Sequence, residues 1–208
     1  MTNLNLDVYH MTDEFCDLLR EVHRDGFDAE KIIETLKKTD FFEAPASTVY
    51  HNSCRGGLLD HSLNVFYNLS ELVNMKGLQD LIPADSVIIV GLLHDISKAN
   101  FYTEYTYNKK VYDDKGKFEW KEFKGYKVRD NKDRFILGSH SENAAYILSQ
   151  FCKLTQEEYC AVMNHMGGHD STTPNQEMSA IFNRYPLAIL LHCADEMATF
   201  VDERLYNE

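Results

Sequence analysis

The chain has 208 residues, with 33 acidic against 21 basic side chains and a formal net charge of −12. That length supports one well-buried core or at most two small domains, and a composition 44% hydrophobic and 26% charged is that of a soluble globular protein. The negative balance argues against a surface built to wrap duplex nucleic acid, which releases counterions to lysine and arginine, whereas a small anionic substrate is compatible with it if a metal supplies positive charge locally.

The opening MTNLNLDVYH lacks the basic and apolar regions of a secretion signal. The longest apolar run, Val87 to Leu93, is too short to span a bilayer. A cytoplasmic protein that makes no use of a membrane is therefore expected. Its five scattered cysteines (Cys16, Cys54, Cys152, Cys160, Cys193) form no CxxC pair and read as reduced thiols. Residues 12–24 and 28–38 read as two amphipathic helices split at Asp25-Gly26. The loop-like stretch FFEAPASTVYHNSCRGG leads into a helix over about 58–75, in which Leu58, His61, Val65, Leu69 and Leu72 recur at spacings of three and four. That spacing turns His61 toward the interior. Pro83 opens a helix that carries His94 and Asp95 near its C-terminal end.

Residues 101–128 change character, being rich in aromatic and β-branched residues around a central DDKG, and predict a β-hairpin. Helical pattern then resumes. Ser139-x-x-Glu142 and Thr155-x-x-Glu158 are capping boxes, with His140 in the first turn after one and His165 at the end of the helix that follows the other, before Gly167-Gly168. Pro186 starts the last long helix, whose apolar stripe is Leu187, Leu191, Ala194, Ala198 and Val201, with Asp195 beside it. No repeat or linker interrupts the chain. Residues 1–208 are therefore expected to form one domain, an all-α bundle with one inserted hairpin, with the helices of residues 1–40 packed on its core.

His61, His94, Asp95, His140, His165 and Asp195 thus fall on inward faces or at helix ends. A lone core histidine is ordinarily a satisfied structural residue. Four imidazoles and two carboxylates together are what two adjacent divalent ions need, one carboxylate bridging. Mixed nitrogen and oxygen donors favour iron or manganese, with nickel, zinc or magnesium as further choices.

The order His61, His94-Asp95, Asp195 resembles the HD superfamily of metal-dependent phosphohydrolases. GGLLDHSLNV is similar to its first-histidine motif, GLLHDISK to its HD-x-x-K motif, GSHSEN and MNHMGG to the two further histidine motifs of the two-metal branch, and LLHCADEMAT to its terminal aspartate motif. The likeness runs from about residue 41 to 203 and is nearest to small bacterial and phage HD hydrolases with an aromatic hairpin insertion. The HD domain of certain 3′→5′ exoribonucleases is a more distant likeness. Carried over, it implies that His61, His94, Asp95 and Asp195 hold one metal and that Asp95 bridges to a second held by His140 and His165. Ser97 and Ser139 stand where family members often have glycine. Lys98 is expected to pair with a substrate phosphate. Arg55 and His51, in the loop before Gly56-Gly57, and His169-Asp170 after Gly168 are candidate substrate contacts. His192 reads as structural.

The implied activity is hydrolysis of a phosphoester or phosphoanhydride bond in a nucleotide-like substrate by a metal-activated water, with Asp95 and Lys98 as catalytic residues. Three alternatives stay open: a 3′→5′ exonuclease on single-stranded nucleic acid, for which Lys109, Lys110, Lys121, Lys124 and Lys127 are the concentrated cationic patch, a non-catalytic metal-containing nucleotide-binding module, and a di-iron oxygenase.

Overall fold

The computed structural model describes residues 6–134, 138–169 and 174–203, and within these it is mostly helical with a two-stranded antiparallel sheet, so that all-α holds only approximately. α1 (Val8–Arg20) starts four residues earlier than its apolar pattern predicts, because Asp7 accepts the His10 N–H at 3.1 Å and caps it there. α2 (Ala29–Leu36) is capped in the same way by Asp28 on the Lys31 N–H. The expected break between them is made at Gly26, where φ is +80°. Their inward residues Phe15, Leu19, Ile32, Ile33 and Leu36 are buried, and Phe15 meets Phe41 and Phe42 of the following loop in tilted and edge-on ring contacts 5.3 and 5.6 Å apart.

α3 (Gly57–Met75) lies at the centre. It is covered by α1, by α4 (Ala84–Leu93) and by α8 (Pro186–Met197), so its buried surface is broader than one stripe and only Leu72 of the expected set stays partly exposed. α4 is apolar all round, as a helix enclosed by others must be. It passes α3 at Gly91, where a Cβ would come within 2.9 Å of the Phe66 Cα. A side chain there would force the two helices apart, and His94 and Asp95 would move with α4.

After a short 3₁₀ turn (Ile96–Lys98) the chain runs out into the hairpin, β1 (Tyr102–Tyr112) against β2 (Phe118–Val128), as the composition of residues 101–128 predicts. α5 (His140–Ser149) and α6 (Gln156–Asn164) start at Ser139 and Thr155, and both capping boxes are complete. α7 (Asn175–Arg184) is a helix that the sequence pattern did not announce. α8 begins at Pro186 and runs on into a π-helical turn, Ala198–Asp202. That wider turn shifts the helix phase, so Val201 faces solvent at 56% exposure instead of extending the apolar stripe, and Glu203 is carried inward.

Among the described residues no helix is long and apolar enough to cross a membrane, and the five cysteines are unpaired.

Candidate metal centre

Five elements deliver side chains to one point. α3 supplies His61, the C-terminal end of α4 supplies His94 and Asp95, the first turn of α5 supplies His140, the end of α6 supplies His165, and α8 supplies Asp195. All six sequence-predicted ligands are thereby brought together, and all but the half-buried His140 are buried. Asp95 is the hub. Its Oδ2 lies 3.5 Å from His61 Nε2 and 3.7 Å from His94 Nε2, while its Oδ1 hydrogen-bonds His140 Nε2 and lies 3.5 Å from His165 Nε2. Each carboxylate oxygen thus faces its own pair of imidazoles. Asp195 Oδ1 joins the first pair, 3.2 Å from His61 Nε2.

The far side of every ring is engaged. His94 Nδ1–H donates to the Gly91 carbonyl at 3.0 Å and His165 Nδ1–H to the Val162 carbonyl at 2.7 Å. His61 Nδ1 donates to Glu203 Oε1 at 2.8 Å, and His140 Nδ1 to Ser97 Oγ at 2.8 Å, whose own hydroxyl reaches the His140 carbonyl. A neutral imidazole that donates through Nδ1 presents a lone pair at Nε2. All four Nε2 atoms point into the cluster, those of His61 and His94 lie 3.4 Å apart, and the buried His165 Nε2 has no hydrogen-bond partner. Converging Nε2 atoms, with the opposite ring nitrogens fixed by carbonyl, carboxylate or hydroxyl, are the donor arrangement of a metal site. The residues fit divalent cations in two sets, His61, His94 and Asp95 on one side and Asp95, His140 and His165 on the other.

The electrostatics agree. Burial disfavours charge on His61, but Glu203 and Asp195 outweigh it and push its pKa up to about 10, so the chain by itself holds a proton where a cation would sit. Burial, with a smaller contribution from the neighbouring His165 and His61, outweighs Asp95 and Asp195 and pulls His94 down to about 4, which keeps it a neutral donor. Burial would raise Asp95, yet Lys98 and His140 hold it well below the usual carboxylate range.

Lys98 is half-buried and folds back onto the cluster, where its Nζ donates to Asp95 Oδ2 at 2.6 Å. Its first partner is therefore the hub carboxylate. His51 comes down over the cluster with its ring centroid 5.1 Å from that of His61, and both of its ring nitrogens are buried without a partner. Its loop is tied to its neighbours: Ser47 Oγ donates to the His51 carbonyl at 2.6 Å, Asn52 takes a φ of +44° and donates to Asp60, and a Cβ on Gly57 would lie 2.0 Å from the Asn52 carbonyl oxygen. Arg55, by contrast, is exposed and engaged with Glu43 at 2.8 Å. His169 is exposed in the turn after α6, and Asp170 lies outside the described residues. His192 backs the site, donating from Nδ1 to the His165 carbonyl at 2.7 Å.

Two participants have no signal in the sequence pattern. Glu203 is placed on His61 only by the π turn, and Ser97 acts through the orientation of the His140 ring rather than as a ligand.

Comparison with known proteins agrees with this geometry. Neither the curated proteins nor the solved structures contain a match, but the family model of the HD domain matches residues 58–199, which include all six clustered residues. The chain therefore belongs to the HD-domain family, whose members are generally metal-dependent phosphohydrolases.

Proposed function

We propose that this protein hydrolyses a phosphoester or phosphoanhydride bond of a nucleotide-like substrate, using two divalent cations, iron or manganese by preference. In this reading His61, His94, Asp95 and Asp195 hold one cation, and Asp95, His140 and His165 hold the other. The observation that carries it is the division of Asp95, with one oxygen toward each pair of histidines. Bound there, the cations supply an acidified water and positive charge for the phosphoryl oxygens.

The chain's own residues do the rest. Glu203, the Gly91 and Val162 carbonyls and Ser97 lock the four rings with Nε2 inward. Lys98 keeps Asp95 ionised and, with two further N–H donors beyond that bond, binds a phosphoryl oxygen. His51, neutral because burial lowers its pKa to about 3, offers one N–H to the substrate from the side of the first set. Arg55 reaches a phosphate only by giving up Glu43, and so belongs to the rim together with the exposed His169.

The test is elemental analysis of protein purified without chelator, combined with a screen of nucleotides for phosphate or nucleotide release. Two ions per chain and metal-dependent turnover support the reading. A single ion would remove His140 and His165 from the ligand set. Metal-loaded protein that binds nucleotides without turnover would overturn it in favour of a binding module.

A further inference from the structure

The hairpin is built unequally on its two faces. On one, Tyr105, Tyr107 and Phe123 stack on one another with ring centroids 5.5 and 5.9 Å apart, and they close over Gly125, where a Cβ would lie 3.2 Å from Tyr107. Those rings satisfy each other. On the other face the strand alternation and register place Tyr102, Lys110, Tyr112, Phe118, Trp120 and Tyr126. Here the rings at the tip are open, with Tyr112 63%, Phe118 45% and Trp120 61% exposed. The Lys110 ammonium sits 4.4 Å from the Phe118 ring centroid and 5.3 Å from that of Trp120. At its other end this same face adjoins the candidate metal centre, since the half-buried Tyr102 begins β1 four residues after Lys98, the Phe101 N–H donates to the Lys98 carbonyl at 3.1 Å, and Lys98 itself is bonded to Asp95.

We propose that this face is a binding track for a single-stranded nucleic acid, laid along the hairpin with one end in the metal centre. The proposal rests on the hydrolase reading for the fate of that end, but not for the binding itself. Open rings beside ammonium groups are what unpaired bases and their backbone require. Charge favours the same occupant. Residues 101–128 carry seven lysines against five carboxylates, whereas the whole chain has 33 acidic and 21 basic residues. A polyanion is therefore drawn to the hairpin and repelled by the acidic body, and a duplex, with its denser charge, is repelled more. Midway, Lys124 is neutralised by Glu104 at 2.8 Å, so the grip lies at the two ends of the face. Those ends are about 26 Å apart at the rise of an extended strand from Tyr102 to Lys110. Affinity must then depend on ligand length.

Trp120 is the chain's one tryptophan and reports directly on this face. Full-length protein, as purified and again with chelator added, is titrated with oligodeoxythymidine and with oligouridine of increasing length, following tryptophan emission. Quenching is expected in both metal states, strong for oligomers of about ten nucleotides, weak for a mononucleotide, and reduced by salt. A difference between the deoxy and ribo series identifies the sugar preferred. By anisotropy of a labelled oligomer, Trp120→Ala is expected to weaken binding about tenfold or more, and Lys110→Ala to weaken it less and flatten the salt dependence. Turnover of a mononucleotide by Trp120→Ala is expected to stay unchanged. Binding without turnover would leave the track standing while sinking the hydrolase reading. Quenching independent of oligomer length, or an unchanged affinity in Trp120→Ala, would overturn the track. Emission that varies with protein concentration alone, together with a dimer mass, would overturn it too and assign the face to a second copy of the chain.

Discussion

Among the described residues charge is buried at two places, and they are built on opposite plans. On the side where the chain leaves α1, Glu158 is wholly buried, yet both of its oxygens are taken: Arg24 donates to them at 2.5 and 3.1 Å, Ser86 Oγ at 2.7 Å and the Thr155 N–H at 2.7 Å. The Asp95 cluster has the same ingredients in a different arrangement. There the outer nitrogens of four imidazoles are tied off while the inner ones converge on one another and on Asp95. A closed set of buried charges needs nothing more and reads as structure. A set left open toward its own centre is completed from outside the chain.

The sharpest way to break the contrast is to remove each hub. Asp95→Ala is expected to lose bound metal and to lower turnover about a thousandfold or more, as removal of several kcal/mol of charge stabilisation does. Elemental analysis alongside the rate checks both, and full activity in a metal-free variant would end the metal reading. Glu158→Ala is expected to cost about 3–5 kcal/mol of stability by stranding Arg24, read by urea unfolding, with the metal content of the folded protein unchanged. If that variant also lost metal, the two regions would not be separate.

The ionisation of Glu158 adds a pH signature. Burial raises its carboxyl, but the Arg24, Ser86 and Thr155 hydrogen bonds outweigh this and hold its pKa below the ordinary 4.5. A depressed carboxylate pKa stabilises the fold above the unfolded value, and that stability is lost as pH falls through the folded value. Unfolding free energies of the parent and Glu158→Gln are expected to differ by a constant amount above about pH 5 and to converge in more acidic solution. A gap that stayed constant down to pH 3 would contradict this.

Glu203→Gln is a milder test of the open cluster. It keeps the size of the side chain and loses the charge behind His61. Metal affinity is expected to fall about 10–100-fold, measured by competition with a chromophoric chelator, while the unfolding midpoint of metal-free protein moves little. Ser139→Ala is the smallest change, expected to cost about 1 kcal/mol through the lost N-cap of α5, with His140 still able to reach Asp95.

Much of this was legible in the chain. The spacing of Leu58, His61, Val65 and Leu69 turned His61 inward, Pro83 and Pro186 marked helix starts, the Ser139 capping box placed His140 in a first turn and Gly167-Gly168 placed His165 at a helix end, because those signals act within three or four residues. The alternation and turn of residues 101–128 specified the hairpin for the same reason. The identity of the six clustered residues was likewise readable, since their local signals and the HD-family likeness pointed the same way.

What only the tertiary structure decided is how those residues are completed. Glu203 reaches His61 because a π turn after Met197 shifts the helix phase, and a period of 3.6 extrapolated along the sequence puts Val201 inside instead. Lys98 spends its first hydrogen bond on Asp95, Arg55 spends its own on Glu43, and His51 hangs over His61 on a loop fixed by Asn52 and Gly57. Each of these depends on where a side chain's partner comes to rest after the helices pack. Local pattern can name a donor, but its partner is a matter of distance in space.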